Sequence, residues 1–459
     1  MVVKKVDFSS GSITGNIIKT AAPMLVAQIL NLLYSIVDRI YIARIPDIGT
    51  AAIGAVGLCF PVITIIAAFT NLFGSGGSPL FAMARGRRDR EEASLTMNLS
   101  YTMLIISGII LMVIGEVFAR PILIAFGASE SALTHALPYM RIYLLGTVFS
   151  LIATGMNPFI NAQGFSVVGM LTVMIGAVSN IILDPIFIFV LGMGVSGAAV
   201  ATVISQVVSA VFVIRFLTGE RTEYRAIVLS FKAVKCNLST LGSITALGLV
   251  TFIMQITNSM VQVCCNNVLM THGGDVYVSV MTIVNSIRQI LDTPIGAVSD
   301  GTTPILSYNY GAGNYRRVRK TALVMTIIMF VYSVIFWRLI ETFPKVFISI
   351  FSNDETILGD TIPALHLYFY AFIFQTFQIT GQTMFKALNK KKRAIFFSLF
   401  RKVIIVVPLT LLLPGVFGFG TDGVFMAEPI SNVVGGLACF VTMLLTLMPE
   451  LRKGKTGDV

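Results

Sequence analysis

Twelve apolar stretches punctuate this chain, each long enough to cross about 30 Å of hydrocarbon at 1.5 Å per residue. Their approximate limits are 17–43, 52–76, 94–118, 136–157, 166–190, 195–217, 241–270, 277–300, 321–342, 361–385, 395–414 and 420–447. A chain with that pattern is an all-α polytopic membrane protein. Composition agrees: 55% of the 459 residues are hydrophobic and 12% charged, against about 25% charged in soluble domains. A mean hydropathy of +0.85 excludes soluble, disordered and fibrous classes. The opening MVVKKVDFSSGSITGN has no apolar core or small-residue cleavage site, so it does not read as a signal peptide. Five cysteines, with Cys264 adjacent to Cys265, form neither a CxxC pair nor a disulfide framework.

A formal charge of +11 would raise the question of nucleic acid in a soluble protein. Here the informative question is which loops carry the cations. Most of the 33 Lys and Arg fall on one side when loops are numbered alternately. That side includes Lys4 and Lys5, Arg85 to Arg90, Arg215 to Lys235, Arg316 to Lys320, Lys386 to Arg393 with Arg401 and Lys402, and Arg452 to Lys455. The other holds Arg39, Arg44, Arg120, Arg141, Arg338 and Lys345, while Arg288 lies within a span. This bias predicts a multi-pass protein of the plasma or inner membrane with both termini cytoplasmic. The cations are then solvated, lipid-facing loop charges, the bilayer is the partner, and no nucleic acid is expected.

The chain also repeats itself. Pro79 and Gly86 in SPLFAMARG correspond to Pro304 and Gly311 in TPILSYNYG, an offset of 225; GVSGAAVATVIS at 194–205 corresponds to GTDGVFMAEPIS at 420–431, an offset of 226. The expected organisation is a lobe of six spans at 1–217, a cytoplasmic connection at 218–238 and a second lobe at 239–459. Six is even, so both halves start from the same face. The twelve helices should form two six-helix parallel repeats around a central cleft, which suits a carrier better than a channel.

Two glycine motifs carry no chemistry in this context. Gly192-Met193-Gly194-Val195-Ser196-Gly197 spells G-x-G-x-x-G, but it joins two spans, where a dinucleotide fingerprint needs a strand before it and a soluble helix after. Gly194-Val195-Ser196-Gly197 has the G-x-S-G form of intramembrane serine proteases, yet in the second repeat the serine is Asp422 and both glycines persist. What repeats is a tight turn. His135, His272 and His366 all lie near outer ends, so a buried general base is lacking. The chain reads as a non-enzyme, with no metal site or cofactor assigned.

Acids inside spans cost about 2.5–3.5 kcal/mol each on insertion scales, and are functional candidates for that reason. Asp38, Asn180, Asp184 and Thr202 lie at similar depth, about 8–12 Å below the outer boundary. Their oxygens suit a hard monovalent cation or a shared proton; the alternative is that each merely bonds a neighbouring helix. Asp38 corresponds to Val263, Asn180 to Ile405 and Asp184 to Leu409, so this acidic group belongs to the first half alone. Thr202 corresponds to Glu428, a lone second-half acid. It reads either as a secondary site or as an acceptor beside Pro429, and should matter much less than the aspartates. Arg288 and Asp292, spaced i,i+4, should form an internal ion pair. Glu116 and Glu341 read as solvated.

These residues resemble the multidrug and toxic compound extrusion (MATE) family. The resemblance rests on Pro23, the Val37-Asp38 pair, NPFINAQG at 157–164, NIILDPIFIF at 180–189, GVSGAAVAT at 194–202, and NYGAG at 309–313. It implies a secondary antiporter that exports organic, cationic or amphipathic drug-like molecules by alternating access, driven by inward H⁺ or Na⁺. It also implies that Asp38, Asn180, Asp184 and Thr202 form a first-lobe coupling site, that Tyr34 and Asn157 line the nearby cavity, and that Pro23 is a hinge in the first span. One branch of the family carries an acid in span 7. Here the nearest polar residue is Gln255, and span 10 offers Gln375 and Gln378 instead of a carboxylate. Function as a monomer is expected. A lipid-linked saccharide or lipid flippase of a related superfamily is the rival reading.

Overall fold

A computed structural model describes residues 5–46, 48–219, 231–351 and 355–453. Lys4, Asp47, the 220–230 stretch of the connection and Lys455 lie outside them. Among the described residues there are helices and no strands.

Membrane-crossing helices follow the chain in order: α1 (Ile13–Ala43), α2 (Gly49–Gly86), α3 (Arg90–Val117), α4 (Glu130–Leu145 with Thr147–Ala162), α5 (Ser166–Val190) and α6 (Gly194–Thr218). The next helical stretch, Leu238–Gly311, has 74 residues, about 110 Å at 1.5 Å per residue and far more than a bilayer's thickness. It is broken at Gly274, with φ 67° and ψ −164°, into α7 (238–273) and α8 (275–311). Then come α9 (Tyr315–Thr342), α10 (Ile357–Phe369 with Phe372–Ala387), α11 (Lys391–Gly415) and α12 (Gly420–Lys453). Bends of 54° in α4 and 45° in α10 fall at corresponding places of the two halves. Local chemistry fixes several helix starts. Asp89 accepts from Glu92 N at 2.9 Å ahead of α3, Ser129 from Ala132 N at 3.2 Å ahead of α4, and Asn314 from Arg317 N at 3.2 Å ahead of α9.

The duplication extends to backbone geometry. Gly192 and Gly194 adopt φ of +64° and +56° before α6; Gly418 and Gly420 adopt +73° and +55° before α12. Only a residue without Cβ takes these values at no cost. A Cβ on Gly197 would lie 2.6 Å from the Phe187 carbonyl oxygen, and one on Gly423 2.8 Å from the Leu413 carbonyl carbon. Both glycines therefore allow the same tight helix approach.

Two compact units divide the chain: Met1–Asp7 with Ala22–Thr251, and Phe8–Ala21 with Phe252–Val459. In the first, Val6 N donates to Gly164 O at 2.9 Å. In the second, Arg317 clamps the segment leading into α1: Nε donates to Phe8 O at 2.9 Å, Nη1 to Gly11 O at 3.1 Å and Nη2 to Ser10 O at 2.6 Å. Asn309 Nδ2 adds a bond to Phe8 O at 2.9 Å, and the Phe8 ring meets Tyr308 edge-on. The division of α1 falls between Ala21 and Ala22, next to Pro23. That proline lacks the N–H that would bond the carbonyl of Lys19.

Candidate ion-coupling site

In the first unit, α1 carries Tyr34 and Asp38 one turn apart on one face, α5 carries Asn180 and Asp184 likewise, and α6 carries Thr202. The structure packs the four polar groups expected at equal depth against one another. Asn180 Nδ2 donates to Asp184 Oδ1 at 3.1 Å and to Thr202 Oγ1 at 3.3 Å, while Thr202 Oγ1 donates to Ala198 O at 2.9 Å. Asp184 and Asn180 are buried; Asp38, Tyr34 and Thr202 are half-buried. The Asp38 and Asp184 carboxyl groups stand within hydrogen-bonding reach of each other. Such a contact needs a proton or a cation, because two ionised carboxylates offer only acceptors. Asp38 Oδ1, Asp184 Oδ2 and Asn180 Oδ1 are buried with no hydrogen-bond partner. Three acceptor oxygens in this one group are thus left without a donor.

Immediately after Asp184-Pro185, α5 widens into a π-helical turn over Ile186–Val190. Pro185 has no N–H to continue the ladder, and such bulges concentrate at functional sites. Sequence reasoning missed the aromatic wall beside this group. Tyr139 and Tyr143 of α4 stack with ring centroids 6.2 Å apart. Tyr139 lies close to Asp38, and Tyr143 lies close to Gln206 of α6. Their i,i+4 spacing was the available signal.

Asn157 is not brought into this group. Its Nδ2 donates to Gly169 O at 2.8 Å and Thr172 Oγ1 at 2.5 Å, and its Oδ1 accepts from Asn161 at 2.8 Å. Those bonds pin the end of α4 to α5. Arg39 points away to an exposed position over the Phe60 ring, 4.7 Å from its centroid.

In the second unit the corresponding helices hold a different group. Arg401 and Lys402, grouped above with the loop cations, are buried inside α11, in a second π-helical turn over Phe400–Val406. The charge count of the loops concealed this because only the short apolar stretch 394–400 separates both residues from the loop cluster in sequence. Their partner is Glu428 of α12. Its Oε1 accepts from Arg288 Nη2 at 2.6 Å, Arg401 Nη2 at 3.1 Å and Lys402 Nζ at 3.2 Å. Glu428 is therefore bound by three cations, neither solvated nor held by backbone donors alone. The expected Arg288–Asp292 pair is present at 3.2 Å, and Gln375 Nε2 donates to Asp292 Oδ1 at 2.7 Å. Glu341 and Glu116 are paired as well, with His366 at 2.7 Å and Arg141 at 3.9 Å.

The family model MatE matches residues 23–186 and again 251–412, one match in each half. Among curated relatives, the multidrug export protein MepA of Staphylococcus haemolyticus (strain JCSC1435) is 25% identical over 446 residues, covering 95% of each chain. A solved structure described as the outward-facing conformation of a multidrug resistance MATE family transporter of the MOP superfamily superposes with a TM-score of 0.89. It is 26% identical, and the match covers 99% of this chain and 100% of that one. A MOP superfamily transporter from Pyrococcus furiosus, described as having a binding pocket of reverse polarity that suggests a different function, matches with a TM-score of 0.88. Identity there is 25%, over 99% of this chain and 100% of that one.

Proposed function

Because this chain belongs to the multidrug and toxic compound extrusion family, we propose that it is a cation-coupled secondary antiporter exporting organic, cationic or amphipathic compounds from the cytoplasm by alternating access. One observation carries the coupling reading: the Asp38 and Asp184 carboxyl groups are neighbours, and each keeps a buried oxygen that has no donor. Two carboxylates about 4 Å apart repel by roughly 4 kcal/mol at an effective dielectric of 20. A proton or Na⁺ arriving from outside removes that repulsion and lets α1, α5 and α6 close on one another. Without the ion the same helices relax apart. Asn180 and Thr202 complete an all-oxygen ligand set suited to Na⁺ and can equally stabilise a shared proton. Tyr34, one turn before Asp38, places a large ring beside the site. Pro23 makes bending of α1 inexpensive, since one backbone hydrogen bond is already missing. Ion binding thus becomes helix movement, and differential affinity of the two arrangements for ion and substrate couples their fluxes.

The loop cations favour cytoplasmic termini, and the working species in this reading is the monomer. The direct experiment is export of ethidium in proteoliposomes with pH and Na⁺ gradients imposed separately. Uphill movement under one inward gradient and none without it supports antiport. Equal flux with no gradient overturns it.

A further inference from the structure

The duplication has given the second unit a site of opposite polarity on equivalent elements. Asn180 and Asp184 on α5 and Thr202 on α6 surround the first group; Arg401 and Lys402 on α11 and Glu428 on α12 surround the second. The first stands just before a π-helical turn, and Arg401 and Lys402 of the second stand within one. At the constant offset, Arg401 and Lys402 replace Gly176 and Ala177, and Glu428 replaces Thr202.

Charge balance within this second group is incomplete. Arg288, Arg401 and Lys402 face only two carboxylates, Glu428 and Asp292, among the described residues. Neutral neighbours take up hydrogen bonds without supplying charge: Tyr368 Oη accepts from Arg288, Asn432 Oδ1 accepts from Arg401, and Gln375 donates to Asp292. With all three cations ionised, one positive charge is left inside a membrane-spanning unit, where an unpaired charge is strongly disfavoured. The group is also open at one edge. Arg288 keeps 14% of its side chain exposed and Asp292 33%, and both continue a half-buried polar stripe on α8 with Asn285 and Ser299. Charged groups within spans face the bundle interior or a water-filled cavity and not lipid, and this exposed edge is the side from which a solute would reach the group.

We infer that the second unit contains a binding site for an organic carboxylate, held by Arg288, Arg401 and Lys402. A monoanion supplies the missing charge. A carboxylate in particular fits, because two guanidinium forks offer paired donors of its geometry, and the Glu428 carboxylate already occupies the centre of the same three cations. The inference rests on the export reading only in assigning the anion to a transported substrate. Compounds carrying a carboxylate beside an aromatic body then fall within the substrate range, in addition to organic cations.

The test is equilibrium binding of 1-naphthoate to the purified full chain in lipid nanodiscs, without any ion gradient, with neutral 1-naphthamide as the isosteric control. The acid should bind at least about tenfold more tightly than the amide. Lys402→Met brings the group to neutrality and removes one of the three holding cations, so it should weaken naphthoate at least about tenfold, the effect of a single charge even about 10 Å away at an effective dielectric of 20. Asp292→Asn adds one net positive charge at the open edge, leaves all three cations in place, and should tighten binding by a similar factor. A purely structural ion cluster predicts no such opposite response. Equal binding of acid and amide, no binding of either, or an affinity indifferent to both substitutions overturns the inference. Asp38→Asn separates the two proposals: it should lose gradient-driven export and keep naphthoate binding. Failure of ethidium antiport with naphthoate binding intact removes the coupling reading alone; the converse removes this site alone.

Discussion

Replacing Glu428 by Gln removes one negative charge and nothing else from the second unit. In the native protein that carboxylate accepts from three cations at 2.6 to 3.2 Å and is buried. After the change, Arg288, Arg401 and Lys402 retain only Asp292 as a counter-charge. Breaking a buried ionic group by removing one partner costs about 3–5 kcal/mol, because the remaining charge stays desolvated. For a unit of roughly 200 residues that corresponds to a melting point lower by about 10 °C. Thermal unfolding of the purified protein, followed by fluorescence-detected size exclusion, reads it directly. Lys402→Met on top of Glu428→Gln withdraws one of the orphaned cations and should recover much of the loss. Gradient-driven export, normalised to folded protein, should persist in the single variant, since the proposed coupling carboxylates belong to the other unit. A Glu428→Gln protein as stable as the parent, or a double variant no better than the single, would refute the reasoning.

Other perturbations follow from particular contacts. Gly197→Val drives a side chain into the Phe187 carbonyl, 2.6 Å from the ideal Cβ, and should sharply cut the yield of folded protein; Gly54→Ala, with open space around it, should leave yield unchanged. Arg317→Ala removes one donor from each of the carbonyls of Phe8, Ser10 and Gly11, leaving Phe8 to Asn309 and Ser10 to Asn16. Loss of about 1–2 kcal/mol of local protection should show as roughly tenfold faster amide exchange across 8–16. A cysteine at Thr222 should resist membrane-impermeant thiol reagents in intact cells and react after permeabilisation; labelling from outside would reverse the assigned orientation.

Helical spans and the duplication were legible because both are long-range regularities. Runs of about 20 apolar residues have no other stable form in lipid, and a constant offset preserves turns such as Gly192/Gly194 and Gly418/Gly420 whatever surrounds them. The acidic group was legible for a similar reason. Depth along a straight helix is simply residue count, so Asp38, Asn180, Asp184 and Thr202 share a level before any packing is known. Packing itself was not legible. Asn157 sits in a polar motif that reads as cavity lining, yet its amide is spent pinning α4 to α5. Arg401 and Lys402 adjoin a loop rich in cations, and only the turn of α11 reveals that they point inward to Glu428. Tyr139 and Tyr143 carry no charge to mark them. Rotation about a helix axis decides all three cases, and hydropathy does not encode it where the helix is apolar on every side.

The central claim is that Asp38 and Asp184 bind the coupling ion. Its most direct measurement is uphill ethidium export into an imposed inward gradient, compared in one proteoliposome series for the parent, Asp38→Asn, Asp184→Asn and Glu428→Gln. Equal reconstitution is verified by size exclusion. Both aspartate variants should fall to the flux seen without a gradient, while Glu428→Gln retains most of the parent's gradient-driven export per folded molecule. Normal export by both aspartate variants, together with a Glu428→Gln protein that is folded but inactive, would put the coupling site in the second unit and contradict the account.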